Sequence, residues 1–183
     1  QAKQAGLELK NEKIDVCICS PFTRTKETAE QILKYHPETK IVYDNRLEEV
    51  DFRNNLLTKD EVEYLDTNGW GKYWYDGLPD NGKRAVTVLK NEAKNIIEDI
   101  KSKYFGNTIL IVSHGTRIRS FKMYLDNINI NKWEDIPHPK NCEIIKYSFN
   151  KSKLLCEDFI EEYFDSLLEE DDYFLLESKE YRG

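Results

Sequence analysis

Four short segments of the chain have the hydrophobic pattern of β-strands. Residues 14–19 and 108–112 are nearly continuous apolar runs, as is typical of strands buried on both faces of a sheet. Residues 41–43 form a shorter apolar run, and residues 142–149 are a further strand candidate. Ser20-Pro21 follows the first run directly and predicts that its strand ends there.

Between these runs, apolar residues recur every three or four positions, which predicts amphipathic helices. The pattern is clearest over residues 83–101, and it also predicts helices over residues 1–10, about 23–35 and about 115–125. Strands that alternate with helices are typical of α/β proteins with parallel sheets. The expected fold is a three-layer α/β/α sandwich with a mostly parallel central sheet.

Two segments depart from this alternation. Residues 51–82 are rich in Trp, Tyr and Gly, and Thr58 and Glu61 have the spacing of a helix capping box. We interpret this segment as an excursion over one face of the domain. Residues 159–168 carry an apolar stripe that could pack on the core or on another subunit, so a homodimer stays open. The length of 183 residues suits a single domain over 1–183.

Composition and charge narrow the classes of partner. The net charge is −7 and no basic patch is visible, which argues against nucleic acid. No apolar run approaches the roughly 20 residues of a membrane helix, and no signal peptide opens the chain. With three histidines and four cysteines, a metal site is not expected. We interpret the cysteines as buried thiols, and we expect a cytoplasmic protein without a cofactor.

The candidate chemistry lies just past the ends of two predicted strands. Arg24 falls in the first turn of a helix after one strand, and His114 directly follows another. Ligands of open parallel sheets bind at the carboxyl ends of the strands, and helix N-termini favour anions. Arg24 could grip phosphate oxygens and His114 could donate to them, while Gly115 would let the backbone approach. The alternative is a surface arginine and a histidine that only caps a strand.

The residues around these two positions resemble a known family. Ser20-Pro21-Phe22-Thr23-Arg24, followed by Thr28-Ala29, is similar to a signature of the histidine phosphatase superfamily, the phosphoglycerate mutase-like proteins. Ile111 to Gly115 resembles the second histidine motif of that family. Weaker similarities occur at residues 1–6 and 141–144. The resemblance covers residues 1–150 and implies a phosphoglycerate mutase-like fold and a small phosphorylated substrate.

The same resemblance implies a proton donor. Leu47-Glu48-Glu49 is similar to a Leu-x-Glu segment of the family whose glutamate protonates the leaving oxygen. This comparison assigns the role to Glu49, with Glu48 as the neighbouring candidate. A carboxyl group is chemically suitable, because the leaving alkoxide needs a proton. Alternatively, both residues are surface carboxylates at a strand end.

One part of the family pattern is absent from the sequence. The family carries an Arg-His-Gly motif after its first strand, and this histidine attacks phosphorus, yet no Arg-His-Gly occurs here. His36 and His138 are interpreted as ordinary loop residues. We expect that the nucleophile lies upstream of residue 1, because Gln1 falls within a predicted helix. A degenerate homologue without a nucleophile is the alternative.

The resemblance therefore implies three functions. The first is a phosphomonoester hydrolase that acts through phosphohistidine, with Arg24, Glu49 and His114 as catalytic residues. The second is a phosphoglycerate mutase-type phosphotransferase, and the third is a non-catalytic phosphate- or partner-binding module. Arg53 stands where the family usually has glycine, and with Lys83 and Arg84 it adds positive charge. Arg53 is thus a candidate to bind a second anionic group of the substrate, or else a solvated surface charge.

Overall fold

The computed structural model of the protein describes residues 1–69, 78, 80 and 82–149. Regular elements follow the order α1-β1-α2-β2-α3-α4-β3-α5 along these residues. The helices are α1 (Ala2–Leu9), α2 (Thr23–Leu33), α3 (Lys59–Asn68), α4 (Lys83–Lys103) and α5 (Gly115–Leu125). The strands are β1 (Val16–Cys19), β2 (Lys40–Tyr43) and β3 (Ile109–Val112). Most predicted elements are therefore found within a few residues of their expected bounds.

The three strands form a parallel sheet in the order β2-β1-β3. In register, Ile18 of β1 lies between Val42 of β2 and Ile111 of β3. Because the strands are parallel, their carboxyl ends lie at one edge of the sheet. The residues that follow β1 and β3 are thereby brought together.

Alternate residues of β1 enter two different cores, which explains why its sequence is apolar throughout. Val16 and Ile18 pack with Ala93 and Ile97 of α4 and with Phe121 of α5. Cys17 and Cys19 pack on the opposite face against α2, which in turn packs against α1. The expected α/β sandwich is confirmed. In the described part of the chain, no helix combines the length and hydropathy that crossing a membrane requires.

The strand predicted over residues 142–149 is wrong for this structure. Residues 143–148 form no ladder, Phe149 makes only an isolated bridge, and Cys142 has a positive φ of 59°. Across an apolar groove, this segment faces the edge of β3 that has no partner strand among the described residues. An extended segment needs a hydrogen-bonded neighbour to become a strand, and the described residues do not fill the space where one would lie.

The interpretation of residues 51–82 as an excursion stays a prediction, and the structure describes mainly its beginning. Residues Phe52–Leu56 form a π-helical turn, and α3 starts with the predicted capping box, in which Glu61 N–H donates to Thr58 Oγ1 and Thr58 N–H donates to Glu61. Leu56 packs on Val86 and Leu89 of α4. The aromatic residues at 70–77 and the apolar stripe at 159–168 lie outside the described residues.

Gly6 sets how closely α1 approaches α2. A Cβ at this position would lie 3.1 Å from the carbonyl oxygen of Gln31, from Cα of Ile32 and from the ring of Tyr35. Gly6→Val should therefore lower the free energy of unfolding by about 2–3 kcal/mol, since two of the three contacts are backbone atoms that cannot rotate away. Urea denaturation measures this loss. Gln4→Val, at an exposed position of the same helix, is the control for the helix propensity of valine, and an equal loss there would contradict the packing argument.

Candidate active site

Ser20 and His114 form the buried floor of the site. Ser20 follows β1 and donates its N–H to the carbonyl of Val112 at the end of β3, at 2.9 Å. This main-chain bond places Ser20 Oγ 2.8 Å from His114 Nε2. Ser20 is fully buried and His114 is 5% exposed. The end of the sheet thus holds the imidazole in one orientation.

Arg24 contacts the other nitrogen of the same imidazole. From the first turn of α2, its Nε and Nη2 lie 3.1 and 2.8 Å from His114 Nδ1, across 90 residues of sequence. Thr25 fixes the start of this helix, since its hydroxyl donates to the carbonyls of Ser20 and Phe22 at 2.9 and 2.7 Å. The ring of Phe22 packs edge-on against His114, with 5.1 Å between centroids. Two candidates that are distant in sequence therefore meet in the structure.

These contacts determine the protonation state of His114. Arginine can only donate, so Nδ1 accepts, and the ring proton lies on Nε2, where it is donated to Ser20 Oγ. Burial and the positive charge of Arg24 lower the pKa of His114, while the charge of Glu49 opposes them. His114 is thus a neutral donor at pH 7, and both of its nitrogens are occupied by neighbours.

The N-terminus of α5 adds backbone donors beside His114. His114 is the N-cap, and the first helical hydrogen bond runs from Ile118 N–H to its carbonyl, at 2.9 Å. The amides of residues 115–117 have no partner within the helix, as at any helix start, and such amides favour anions. A Cβ on Gly115 would lie 3.5 Å from Nδ1 of His138, an ordinary contact.

A hydrogen bond between the loops that follow β3 and β2 brings Glu49 to the same region. Ser113 Oγ donates to the carbonyl of Leu47 at 2.7 Å, and the side chain of Leu47 is fully buried. Glu49 then lines a groove together with Arg24 and His114. Its carboxylate accepts from the N–H of Val50 at 2.9 Å, and its negative charge raises the pKa of His114 against the larger lowering effects. Glu49 is accordingly placed in the same groove as Arg24 and His114.

The structure places the other predicted cations differently. Arg53 forms a two-point ion pair with Asp66 at 2.5 and 2.9 Å. Arg84 pairs with Glu61 and donates to the carbonyl of Leu56. Both arginines thus tie the excursion together. A substrate-binding role for Arg53 stays a prediction, and a substrate group would compete with Asp66 for it.

An apolar groove of about 700 Å³ runs along the free edge of β3. Its sides are residues 108–115 and the facing segment 139–147, and residues of α1 and α2 close one face while residues of α4 and α5 close the other. Ile109, Leu110 and Ile111 are only partly buried along it. The groove thus continues the plane of the sheet between its two helical layers, and it leads to His114 and Arg24.

Three residues of the site were not assigned a role from the sequence. Ser20 and Ser113 fix His114 and the Glu49 segment, yet serine beside a strand end carries no distinctive signal. Ser20 does belong to the quoted Ser-Pro-x-x-Arg motif. His138 was interpreted as an ordinary loop residue between two prolines, but the structure sets it beside Gly115. Only the chain path, and not local sequence, could reveal this.

The titration of His114 reports the contact with Arg24. Because its pKa is lowered in the fold, His114 adds stability above its usual pKa of about 6.5, and this contribution is lost as the pH falls. Arg24→Ala removes a positive neighbour and should raise the pKa of His114, as measured by NMR titration. Lys26→Ala on the same helix is the control, because Lys26 lies over the ring of Tyr43. An unchanged pKa in Arg24→Ala would contradict the observed pairing.

The comparisons with known proteins agree with this geometry. Residues 1–161 match the family model of the histidine phosphatase superfamily, branch 1. The chain therefore belongs to that superfamily. The sequence resemblance is confirmed, and solved relatives share the phosphoglycerate mutase-like fold.

The relatives include both phosphatases and mutases. Phosphoserine phosphatase 1 of Hydrogenobacter thermophilus is 24% identical over 137 residues, which cover 73% of this chain and 64% of that protein. The chain thus spans less than two thirds of that relative. A 2,3-bisphosphoglycerate-dependent phosphoglycerate mutase of Methylobacterium sp. is 27% identical over 156 residues, covering 75% of this chain and 73% of the mutase.

The structure of Bacillus stearothermophilus YhfR superposes with a TM-score of 0.57 at 20% identity, covering 75% of this chain and 69% of the other. The phosphoserine phosphatase of Entamoeba histolytica, solved with 3-phosphoglyceric acid, gives a TM-score of 0.57 at 17% identity, covering 74% and 68%. At these identities the structural matches show the fold alone.

Proposed function

We propose that the protein is a phosphomonoester hydrolase that acts through a phosphohistidine, with the nucleophilic histidine supplied by residues upstream of Gln1. The observation that carries the proposal is the contact of Arg24 with His114 at the N-terminus of α5. An arginine fork, a buried imidazole and free helix amides together suit a phosphoryl group. Glu49 supplies a carboxyl group at the same groove.

The hydrogen bonds of His114 support the proposal that a different histidine is the nucleophile. Its Nδ1 accepts from Arg24 and its Nε2 donates to Ser20, so neither nitrogen offers a free lone pair. His138 has the same restriction at Nε2, which accepts from Arg119 at 2.9 Å. His36 follows the far end of α2, away from the carboxyl ends of the strands. The attacking histidine is therefore better sought outside these three.

The groove along β3 supports the position of that nucleophile. Among the described residues, this backbone edge of β3 has no partner strand, and the walls of the groove are apolar, as an inserted apolar strand requires. A strand before α1 would be linked through α1 to β1, and such crossover connections join parallel strands. A parallel strand in the groove would end beside His114. A histidine just after it would then face the anion site.

In the proposed reaction, the bound phosphoryl group would separate Arg24 from His114 and accept hydrogen bonds from Arg24. Nδ1 of His114, freed from the arginine, would take up the acidic proton of the phosphate ester and donate it to the same phosphoryl group. The nucleophilic histidine would attack phosphorus in line as the bond from phosphorus to the ester oxygen breaks. Arg24, His114 and the amides of α5 would stabilise the equatorial oxygens. Glu49 would enter this step protonated and give its proton to the leaving alcohol. Water would then attack phosphohistidine and return a proton to the Glu49 carboxylate, releasing phosphate and restoring the free imidazole.

Trapping the intermediate tests this function. Full-length protein mixed briefly with p-nitrophenyl phosphate and quenched in alkali should carry one phosphoryl group on a histidine upstream of Gln1, as located by mass spectrometry. Glu49→Gln should change the burst of p-nitrophenol little, because this leaving group needs little protonation, and should slow turnover of alkyl phosphates. Turnover without a phosphohistidine would contradict the mechanism.

A phosphotransferase is the second candidate, and the similarity to the Methylobacterium mutase favours it. The two functions differ in the acceptor of the phosphoryl group. A hydrolase releases inorganic phosphate from phosphoglycerate, whereas a mutase moves the group between its hydroxyls. NMR of phosphorus distinguishes these products in one sample.

A further inference from the structure

His138 lies beside Gly115 at the start of α5, although it follows β3 by 26 residues of sequence. The loop that carries it leaves a 3-10 helix at Ile130–Asp135 and folds back against the start of α5. There, Nδ1 of His138 lies 3.5 Å from the position of a Cβ on Gly115. His138 is therefore next to the first helical residue after His114.

A buried arginine holds this loop. Arg119 of α5 is 5% exposed, and it donates from Nε to the carbonyl of Ile136 and from Nη2 to that of Trp133, both at 2.8 Å. Its guanidinium also stacks over the ring of Trp133 at 4.1 Å. Its Nη1 lies 2.9 Å from His138 Nε2. In the described part of the chain, no carboxylate is paired with Arg119, and burial lowers its pKa.

The contact with Arg119 determines which nitrogen of His138 can act. Arginine only donates, so Nε2 accepts and the ring proton lies on Nδ1. Among residues 1–69 and 82–149, Nδ1 has no hydrogen-bond partner. The proton is therefore presented next to Gly115, with the positive charge of Arg119 behind the ring.

Glu49 locates His138 relative to the reacting bond. Glu49 lines the groove together with His114 and Gly115, and His138 lies beside Gly115. In agreement with this placement, the charge of Glu49 raises the pKa of both His114 and His138 against larger lowering effects. In the proposed function, Glu49 protonates the ester oxygen, and His114 with Arg24 holds the phosphoryl group. By this assignment, His138 lies on the side of the site where the alcohol part of the substrate would bind.

We propose that His138 is a specificity-determining residue, which donates Nδ1–H to an acceptor oxygen on the alcohol part of the substrate, and that Arg119 is its positioning residue. This inference rests on the proposed function and deepens it. The substrate class is an alkyl phosphate with a carboxylate or hydroxyl oxygen close to the ester bond. A carboxylate suits the site best, because the unpaired charge of Arg119 strengthens the donor.

The test compares two esters that differ in this oxygen. Phosphoglycolate carries a carboxylate beside the ester bond, and ethyl phosphate carries none. In full-length protein, His138→Leu should lower kcat/KM for phosphoglycolate about 10- to 100-fold, the range for one hydrogen bond to a charged group, and change that for ethyl phosphate less than about twofold. His138→Asn, which keeps an N–H near the position of Nδ1, should recover part of the loss. His36→Leu is the matched control and should alter neither value.

Arg119 is tested by a readout that a purely structural role would not move. Nitrogen NMR of the imidazoles should show His138 protonated at Nδ1, and Arg119→Met should shift it toward a mixture of both tautomers while α5 stays helical by circular dichroism. If Arg119→Met fails to fold, the tautomer in the unsubstituted protein still decides. A proton found on Nε2 at neutral pH would overturn the assignment.

Failure of this inference differs from failure of the proposed function. Equal losses for both esters in His138→Leu, or no loss for phosphoglycolate, would overturn the role of His138 while hydrolysis stands. If the unsubstituted protein hydrolyses neither ester, the proposed function fails. Calorimetry then decides: tighter binding of phosphoglycolate than of ethyl phosphate, lost in His138→Leu, supports the donor, and equal binding overturns it.

Discussion

Residues 1–183 on their own should hydrolyse p-nitrophenyl phosphate at least about 10,000-fold more slowly than the full-length protein, because the proposed nucleophile lies upstream of Gln1. The donors of the anion site are present in this chain, so phosphate should still bind. Initial rates at saturating substrate, with phosphate binding measured by calorimetry, separate chemistry from binding. Retained binding with lost turnover is the expected pair of results.

A third protein separates the strand from its histidine. Full-length protein with the proposed upstream histidine changed to alanine should keep the thermal stability of the unsubstituted full-length protein, because the proposed strand would still cover the apolar groove along β3. Its turnover should stay as low as that of residues 1–183. Turnover by residues 1–183 at the full-length rate would refute an upstream nucleophile and return attention to the histidines of this chain.

His114→Ala in the full-length protein should lower kcat for p-nitrophenyl phosphate by about 100- to 1,000-fold. The substitution removes one donor to the transferring phosphoryl group, which carries its highest charge in the transition state. It also frees Arg24 and Ser20 from their contacts of 2.8 Å with the imidazole, so part of the loss reflects a displaced arginine. Steady-state kinetics give kcat, and the melting temperature shows whether the fold survives.

The control for this variant is His36→Ala, which removes a histidine at the opposite end of α2 and should leave kcat unchanged within about twofold. Arg24→Ala combined with His114→Ala should cost less than the product of the single losses, because the two side chains contact each other. Equal rates for His114→Ala and the unsubstituted enzyme would remove His114 from the anion site.

The sequence predicted the helices and strands more accurately than it predicted which segments pair with each other. Periodicity located α4 and the fully apolar β1, because β1 has both faces buried and α4 has one apolar stripe. It also marked residues 142–149 as extended, and the structure forms no ladder there. The prediction failed because a segment becomes a β-strand only when it hydrogen-bonds to a neighbouring strand. The local sequence pattern carries no information about that neighbour.

The same division holds for the site. Arg24, Glu49, His114 and Gly115 could be selected from the sequence by motif and by position after strands. Their contacts could not, because residues 20, 24 and 114 meet only through the parallel register of β1 and β3. His138 shows this most clearly, since its sequence between two prolines suggests a plain loop. Its place beside Gly115 depends on Arg119, a buried residue one turn further along α5.

The sequence by itself thus determined the α/β class, the family and the residue types of the proposed phosphate site. Only the tertiary structure decided the tautomers of His114 and His138, the tether from Ser113 to Leu47 and the groove beside β3. The physical reason is the distance along the chain over which each interaction acts. Hydrophobic periodicity and helix capping act within a few residues of the chain, whereas hydrogen-bond donors are oriented by groups that folding brings together from distant positions.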